Sequence, residues 1–131
     1  MDMNQPQNQQ NGGIFVRFVN KVIDVVLWQG KLLAAANSRK MLVLEPDTLQ
    51  VLREYSIGYP VRRAFRKTED GRLFLIKDHC LSEIDPVTFR PVKFAAPLAP
   101  VTAGGAIAAG RIYFACSDRE VHSCKIPERK K

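Results

Sequence analysis

The densest concentration of groups able to do chemistry is Val61-Arg62-Arg63-Ala64-Phe65-Arg66-Lys67, four cations interleaved with three apolar residues. Guanidinium groups carry paired, planar donors that match carboxylate and phosphate oxygens. Arg62, Arg63, Arg66 and Lys67 are therefore the candidate ligand-binding set, with an anion as the ligand. The competing expectation is that they pair with Glu54, Glu69, Asp70 or neighbours and only solubilise a strand. His79 and His122, the only histidines, fall in different parts of the chain and are not expected to converge. The three cysteines, Cys80, Cys116 and Cys124, lack the Cys-x-x-Cys spacing of a zinc site and are too few for a disulfide framework. A turn about Asp118-Arg119 would set Cys116 opposite Val121 and Tyr113 opposite Cys124, so these two thiols are not cross-strand partners, and packed, inert thiols are expected. Asp24, Glu45, Asp47, Asp70, Asp78 and Asp85 fall mostly at turns, where capping accounts for them. No Gly-x-Ser-x-Gly elbow, phosphate-cradling glycine loop, His-Glu-x-x-His pair or dinucleotide fingerprint is present. The sequence thus predicts no catalytic residue, no metal site and no cofactor.

Composition narrows the partners. Of 131 residues, 20 are Lys or Arg and 13 are Asp or Glu, leaving a formal charge of +7. That excess favours acidic partners, nucleic acid among them, and speaks about association rather than fold. The cysteine usage fits a reducing compartment, the polar start lacks the apolar core of a secretory signal, and no apolar run reaches the ~18 residues of a membrane helix. A cytoplasmic protein without membrane contact is expected.

The elements that must position these residues recur. Gly30-Lys31-Leu32-Leu33, Gly71-Arg72-Leu73-Phe74 and Gly110-Arg111-Ile112-Tyr113 each open a β hairpin, and the glycines stand roughly 40 residues apart, the period of a blade or another repeat array. The first two hairpins run into Pro-Asp or Asp-Pro corners with a threonine, whose side chains cap the turn, and then into an outer strand at 51–57 and 91–95. Each hairpin is preceded by a further strand, at 22–28, 61–66 and 101–109. Residues 1–13 are rich in Asn and Gln and are expected to be a disordered leader; residues 14–19 read as a β segment, and 128–131 as a basic tail.

The central hairpins followed by Glu45-Pro46-Asp47-Thr48-Leu49 and Asp85-Pro86-Val87-Thr88-Phe89 resemble the repeats of YVTN and quinoprotein-like β-propellers, with their "LYV…VLDPxTLxV" pattern. The resemblance covers residues 20–127 at the level of the repeat. The paired Trp-Asp and Gly-His signals of another propeller class are missing, as are the tryptophan-rich repeats of cofactor-binding quinoproteins, because Trp28 stands alone. It implies an all-β fold of three four-stranded blades, with cycles at about 20–58, 59–97 and 98–127. In such propellers the first strand of a blade lines the central channel, which would place Arg62, Arg63, Arg66 and Lys67 there.

Closed propellers have about four to eight blades, and three leave open edges. The third cycle lacks a fourth strand, and residues 14–19 form a strand without a cycle. The expectation is a homodimer in which two copies close head to tail into a six-bladed ring, each lending 14–19 to the other's third blade. A second propeller chain, a fragment of a larger propeller, and a single β-sandwich are the alternatives. By function the chain reads as a non-catalytic binding or scaffold module for a protein, peptide or anionic ligand. Alternatives are a small-molecule enzyme of the lactonase or lyase propeller type, or a basic nucleic-acid-binding β protein, which would need aromatics beside its cations.

Overall fold

Branched and aromatic residues in short runs between turn signals make strands, and the computed structural model, which describes residues 6–8 and 13–128, is all-β with no helix among them. A small antiparallel ribbon pairs β1 (Gln7–Asn8) with β2 (Ile14–Phe15). The first sheet holds β3 (Val22–Trp28), β4 (Lys31–Ala36), β5 (Lys40–Leu44) and β6 (Val51–Ser56). The second holds β7 (Pro60–Lys67), β8 (Leu73–Lys77), β9 (Leu81–Ile84) and β10 (Pro91–Ala95). The third holds β11 (Val101–Ala108), β12 (Arg111–Cys116) and β13 (Val121–Lys125). Each sheet is an antiparallel meander in chain order, and none closes on itself.

The turns explain why the hairpins recur. Trp28 pairs with Lys31 and Ala108 with Arg111, leaving two-residue loops, Gln29-Gly30 and Ala109-Gly110, with positive φ at both positions. That is the mirror-image turn whose twist matches the strands and which favours glycine. The two corners are built alike. Leu49 N–H donates to Glu45 O and Glu45 N–H to Gln50 O; Phe89 N–H donates to Asp85 O and Asp85 N–H to Arg90 O. Gln50 N–H reaches Thr48 Oγ1, and Arg90 N–H reaches Thr88 Oγ1, both at 3.2 Å.

Alternation along the strands gives each sheet two apolar faces, and the sheets stack through them. Leu33, Ala35, Met41 and Val43 of the first sheet pack against Leu73, Leu75 and Ile84 of the second, with Trp28, Ala64 and Phe65 closing the cluster. The opposite face of the second sheet, Phe74, Ile76 and Leu81, packs against Ile112, Phe114 and Cys116 of the third. Along one side of the stack β7 lies between β3 and β11.

Two expectations change. The strand over 14–19 spans only Ile14–Phe15 and pairs with Gln7–Asn8, while Val16 and Phe18 pack on the far face of the first sheet against Ala34, Leu42 and Leu44. The rest of the leader, residues 1–5 and 9–12, and tail residues 129–131 lie outside the described residues. The last hairpin is shifted by one from the expected register. Ala115 stands opposite Val121 and Ile112 opposite Cys124, because Cys116 N–H donates to Glu120 O and the loop holds three residues, with Arg119 at φ 68°. A left-handed residue at the third loop position is the usual way to close such a loop.

Candidate functional site

The first strand of each sheet departs from regular pairing. On β3 the register shifts between Val22 and Asp24, on β7 between Pro60 and Phe65, and on β11 twice, around Ala103 and Ala106. An extra residue on one strand bends it and re-aims its side chains. On β7 the shift falls on the basic run. Arg62 and Arg63 are exposed there, and Arg63 sits at φ 56°.

The four cations divide into two pairs with different tasks. Arg66 is half-buried, and its guanidinium donates to four backbone carbonyls. Nε donates to Gly105 O at 2.6 Å and Nη2 to Gly104 O at 2.5 Å, while Nη1 donates to Arg63 O at 2.8 Å and Phe65 O at 2.9 Å. It thereby clamps β7 to the irregular part of β11. Burial pushes its pKa down and the charge of Arg63 pushes it further, against an opposing pull from Asp24. Lys67 Nζ lies 3.4 Å from Leu27 O on β3. Arg62 and Arg63 form no ion pair with another described residue: Glu54 pairs with Lys40 at 2.7 Å, and Asp70 accepts from the Thr68 hydroxyl.

Asp24 is the carboxylate that capping at a turn does not explain. It sits on β3, accepting from Phe65 N–H through Oδ2 at 2.9 Å and from Val25 N–H through Oδ1. It satisfies the irregular backbone of β7 from the neighbouring sheet. Asp85 does cap its corner, accepting from Val87 and Thr88 N–H. Phe65 is 5% exposed and belongs to the core, so it offers no face for stacking, and the Tyr59 ring is covered by Arg39 at 4.3 Å.

A cleft of about 470 Å³ lies between the turns of the sheets and is lined by Trp28, Arg72, Glu83, Pro86, Phe94 and Pro127 among others. Its central charged pair is already engaged. Arg72 makes a bidentate pair with Glu83, 2.8 Å on each arm, and also donates to Pro127 O. The hydrogen bond to Glu83 raises the Arg72 pKa against the opposing effect of burial.

A second constellation was not expected from the sequence. In the register observed, Cys116 and His122 turn to the same face of the last hairpin, and Asp118 in its loop reaches back to them. One donor atom from each of Cys116, Asp118 and His122 lies within 4.8 Å of the others. His122 Nε2 is 3.0 Å from Asp118 Oδ2 and 3.4 Å from Glu120 Oε1, and the imidazole stacks on Phe114 with centroids 5.9 Å apart. The Cys116 thiol is buried; burial raises its pKa, as do the charges of Asp118 and Glu120, and a backbone hydrogen bond at Ala99 opposes them. The legible signal was Cys116-x-Asp118-x-Glu120-x-His122, donors at every second position around a hairpin. His79 lies elsewhere, exposed beside Asp78.

No protein-family model matches the chain, and no curated protein matches it in sequence. Among solved structures the chain is similar to the computationally designed Ika4 protein, with a TM-score of 0.45 and 12% identity over 85% of this chain and 94% of that one.

Proposed function

We propose that the chain is a non-catalytic binding module, that its three sheets are propeller blades, and that two copies close head to tail into a six-bladed ring. The observation that carries the ring is the direction in which equivalent positions point. Leu32, Leu73 and Ile112 occupy one position of the repeat. Leu73 faces the first sheet, Ile112 faces the second, and Leu32 turns to the outer face of the first. Leu33 and Phe74 occupy the next position and face the second and third sheets, which leaves Tyr113 on the outer face of the third. Equivalent positions thus face the same way from sheet to sheet, and a turn about the β3, β7, β11 side that carried on into another copy would close the ring.

The two end faces fit that continuation. The first sheet ends in Leu32, Ala34, Leu42 and Leu44, with Val25 and Leu27 about half exposed beside them. The third ends in Tyr113, Ala115 and an exposed Val121 and has one strand fewer than the others. Val16 and Phe18 lie on the far face of the first sheet, against Ala34 of β4 and Leu42 and Leu44 of β5, the side on which a preceding blade would stack. In the ring, 14–19 completes the partner copy's third blade beside β13.

The ligand reading rests on Arg62 and Arg63. They stand exposed, free of carboxylate partners among the described residues, on the strand flanked by the first strands of both neighbouring sheets. A carboxylate- or phosphate-bearing protein, peptide or small ligand suits them, and two-fold repetition doubles the charge facing it. Fluorescence anisotropy with a labelled oligo-glutamate peptide tests this. Binding is expected to be lost in the Arg62→Glu, Arg63→Glu double variant; unchanged binding there would refute the site. A salt slope as steep as counterion release from nucleic acid, obtained with single-stranded DNA and absent with the peptide, would favour a nucleic-acid partner instead.

A further inference from the structure

We propose that the β12–β13 hairpin is a transition-metal site, with Cys116, Asp118 and His122 as ligands and Glu120 closing the fourth position. It stands independently of the ring and of the anion site. The donor set of one sulfur, one imidazole nitrogen and two carboxylates suits zinc(II) and cobalt(II) and does not suit calcium or magnesium, which take oxygen donors alone.

The geometry is close to what coordination needs. Metal–ligand distances of about 2.0–2.3 Å in a tetrahedron put donor atoms about 3.3–3.8 Å apart. The three donors already lie within 4.8 Å of one another, with His122 Nε2 at 3.0 Å from Asp118 Oδ2 and 3.4 Å from Glu120 Oε1. Glu120 lies outside that set of three and, 66% exposed, is free to turn its carboxylate toward the fourth position. The support is also in place. Cys116 and His122 are fixed by the pairing of adjacent strands, Phe114 holds the imidazole plane, and Glu120 N–H donates to Asp118 Oδ1 at 3.0 Å. Such orientation of ligands by neighbouring hydrogen bonds and packing is typical of metal sites. Access is open on one side, because the Glu120 and Asp118 side chains are 66% and 33% exposed while Cys116 forms the buried floor. Without a metal the same residues hold His122 between the Asp118 and Glu120 carboxylates above a packed thiol, and the two states differ in spectroscopy.

The test is a cobalt(II) titration of the full chain under reducing conditions, followed by displacement with zinc(II). The expected result is a stoichiometric thiolate-to-cobalt charge-transfer band in the near ultraviolet, together with the intense visible bands of four-coordinate cobalt. Both should disappear on adding zinc. The bands should be lost in Cys116→Ala and His122→Ala and kept in Cys80→Ala, Cys124→Ala and His79→Ala. Because Cys116 is buried, Asp118→Asn and His122→Gln serve as variants that preserve the packing; both should weaken binding while the circular dichroism spectrum stays unchanged. Absence of the charge-transfer band in the wild-type chain, or a band that follows Cys80 or Cys124, would overturn the assignment.

Discussion

The indole N–H of Trp28 donates to the carbonyl of Gly71 at 2.9 Å, joining the end of β3 to the turn that opens β8 in the next sheet. Trp28 is 6% exposed and meets Phe89 edge-on, with centroids 5.8 Å apart, so one side chain ties two sheets and a corner together. Trp28→Phe should keep much of the packing but leave that carbonyl without its donor, at a cost of about 1–3 kcal/mol. Trp28→Ala should cost about 3–5 kcal/mol. Urea unfolding followed by circular dichroism measures both; equal, negligible losses would mean that the first two sheets are not held at this point.

Arg66 and the pair Arg62, Arg63 should separate experimentally. Arg66→Gln removes hydrogen bonds from a charged donor to the Gly104 and Gly105 carbonyls and should destabilise the chain by about 1.5–3 kcal/mol. Arg62→Gln and Arg63→Gln change exposed side chains and should stay within about 0.5 kcal/mol of the parent. Denaturation midpoints decide. If Arg66→Gln proved neutral in stability, the clamp between β7 and β11 would be wrong.

The backbone at Gly105 is packed more tightly than at Gly30. A Cβ at Gly105 would stand 2.8 Å from Ile76 Cδ1 and 2.9 Å from Tyr113 O, whereas one at Gly30 meets nothing within 4 Å. Gly105→Ala should therefore cost about 1–3 kcal/mol through overpacking. Gly30→Ala should cost only the ~1–2 kcal/mol of left-handed backbone strain implied by its φ of 74°. Thermal melts of the two variants order them; the reverse order would contradict the packing of β11 against the second sheet.

Acid should weaken the last hairpin. Burial works to raise the pKa of Asp118, but it is outweighed by hydrogen bonds from His122 and the Glu120 N–H and by the charge of His122, so the carboxyl is held below its ordinary value of 3.8. A carboxylate with a depressed folded-state pKa contributes stability above its unfolded value and loses it as pH falls through the folded one. Measured with a chelator present, stability should decline from about pH 5 downward, and Asp118→Asn should show a shallower acid limb. Identical acid limbs would remove the His122–Asp118 pair from the account.

Much of this architecture was readable because it is local. Gly30 and Gly110 announce their two-residue loops, and the Pro and Thr residues of the two corners announce hydrogen bonds that the structure repeats. Long-range consequences were less readable. Ser117-Asp118-Arg119 gives no sign that Arg119 adopts a left-handed conformation. That one residue shifted the register, brought Cys116 and His122 to one face, and created a constellation that the expected pairing had scattered. Arg66 read as a ligand-binding group because its carbonyl partners, Gly104 and Gly105, belong to a different sheet. Asp24 was given no role of its own, because its acceptor role depends on the irregular backbone of β7, 41 positions away.

The central claim, that two copies close into one ring, is tested most directly by absolute mass from light scattering across a concentration series. The prediction is twice the mass of the chain, falling to the monomer mass when residues 1–19 are deleted and when Leu27 and Val121, on the two end faces, are both replaced by Asp. A wild-type chain that remains monomeric throughout the series would contradict it.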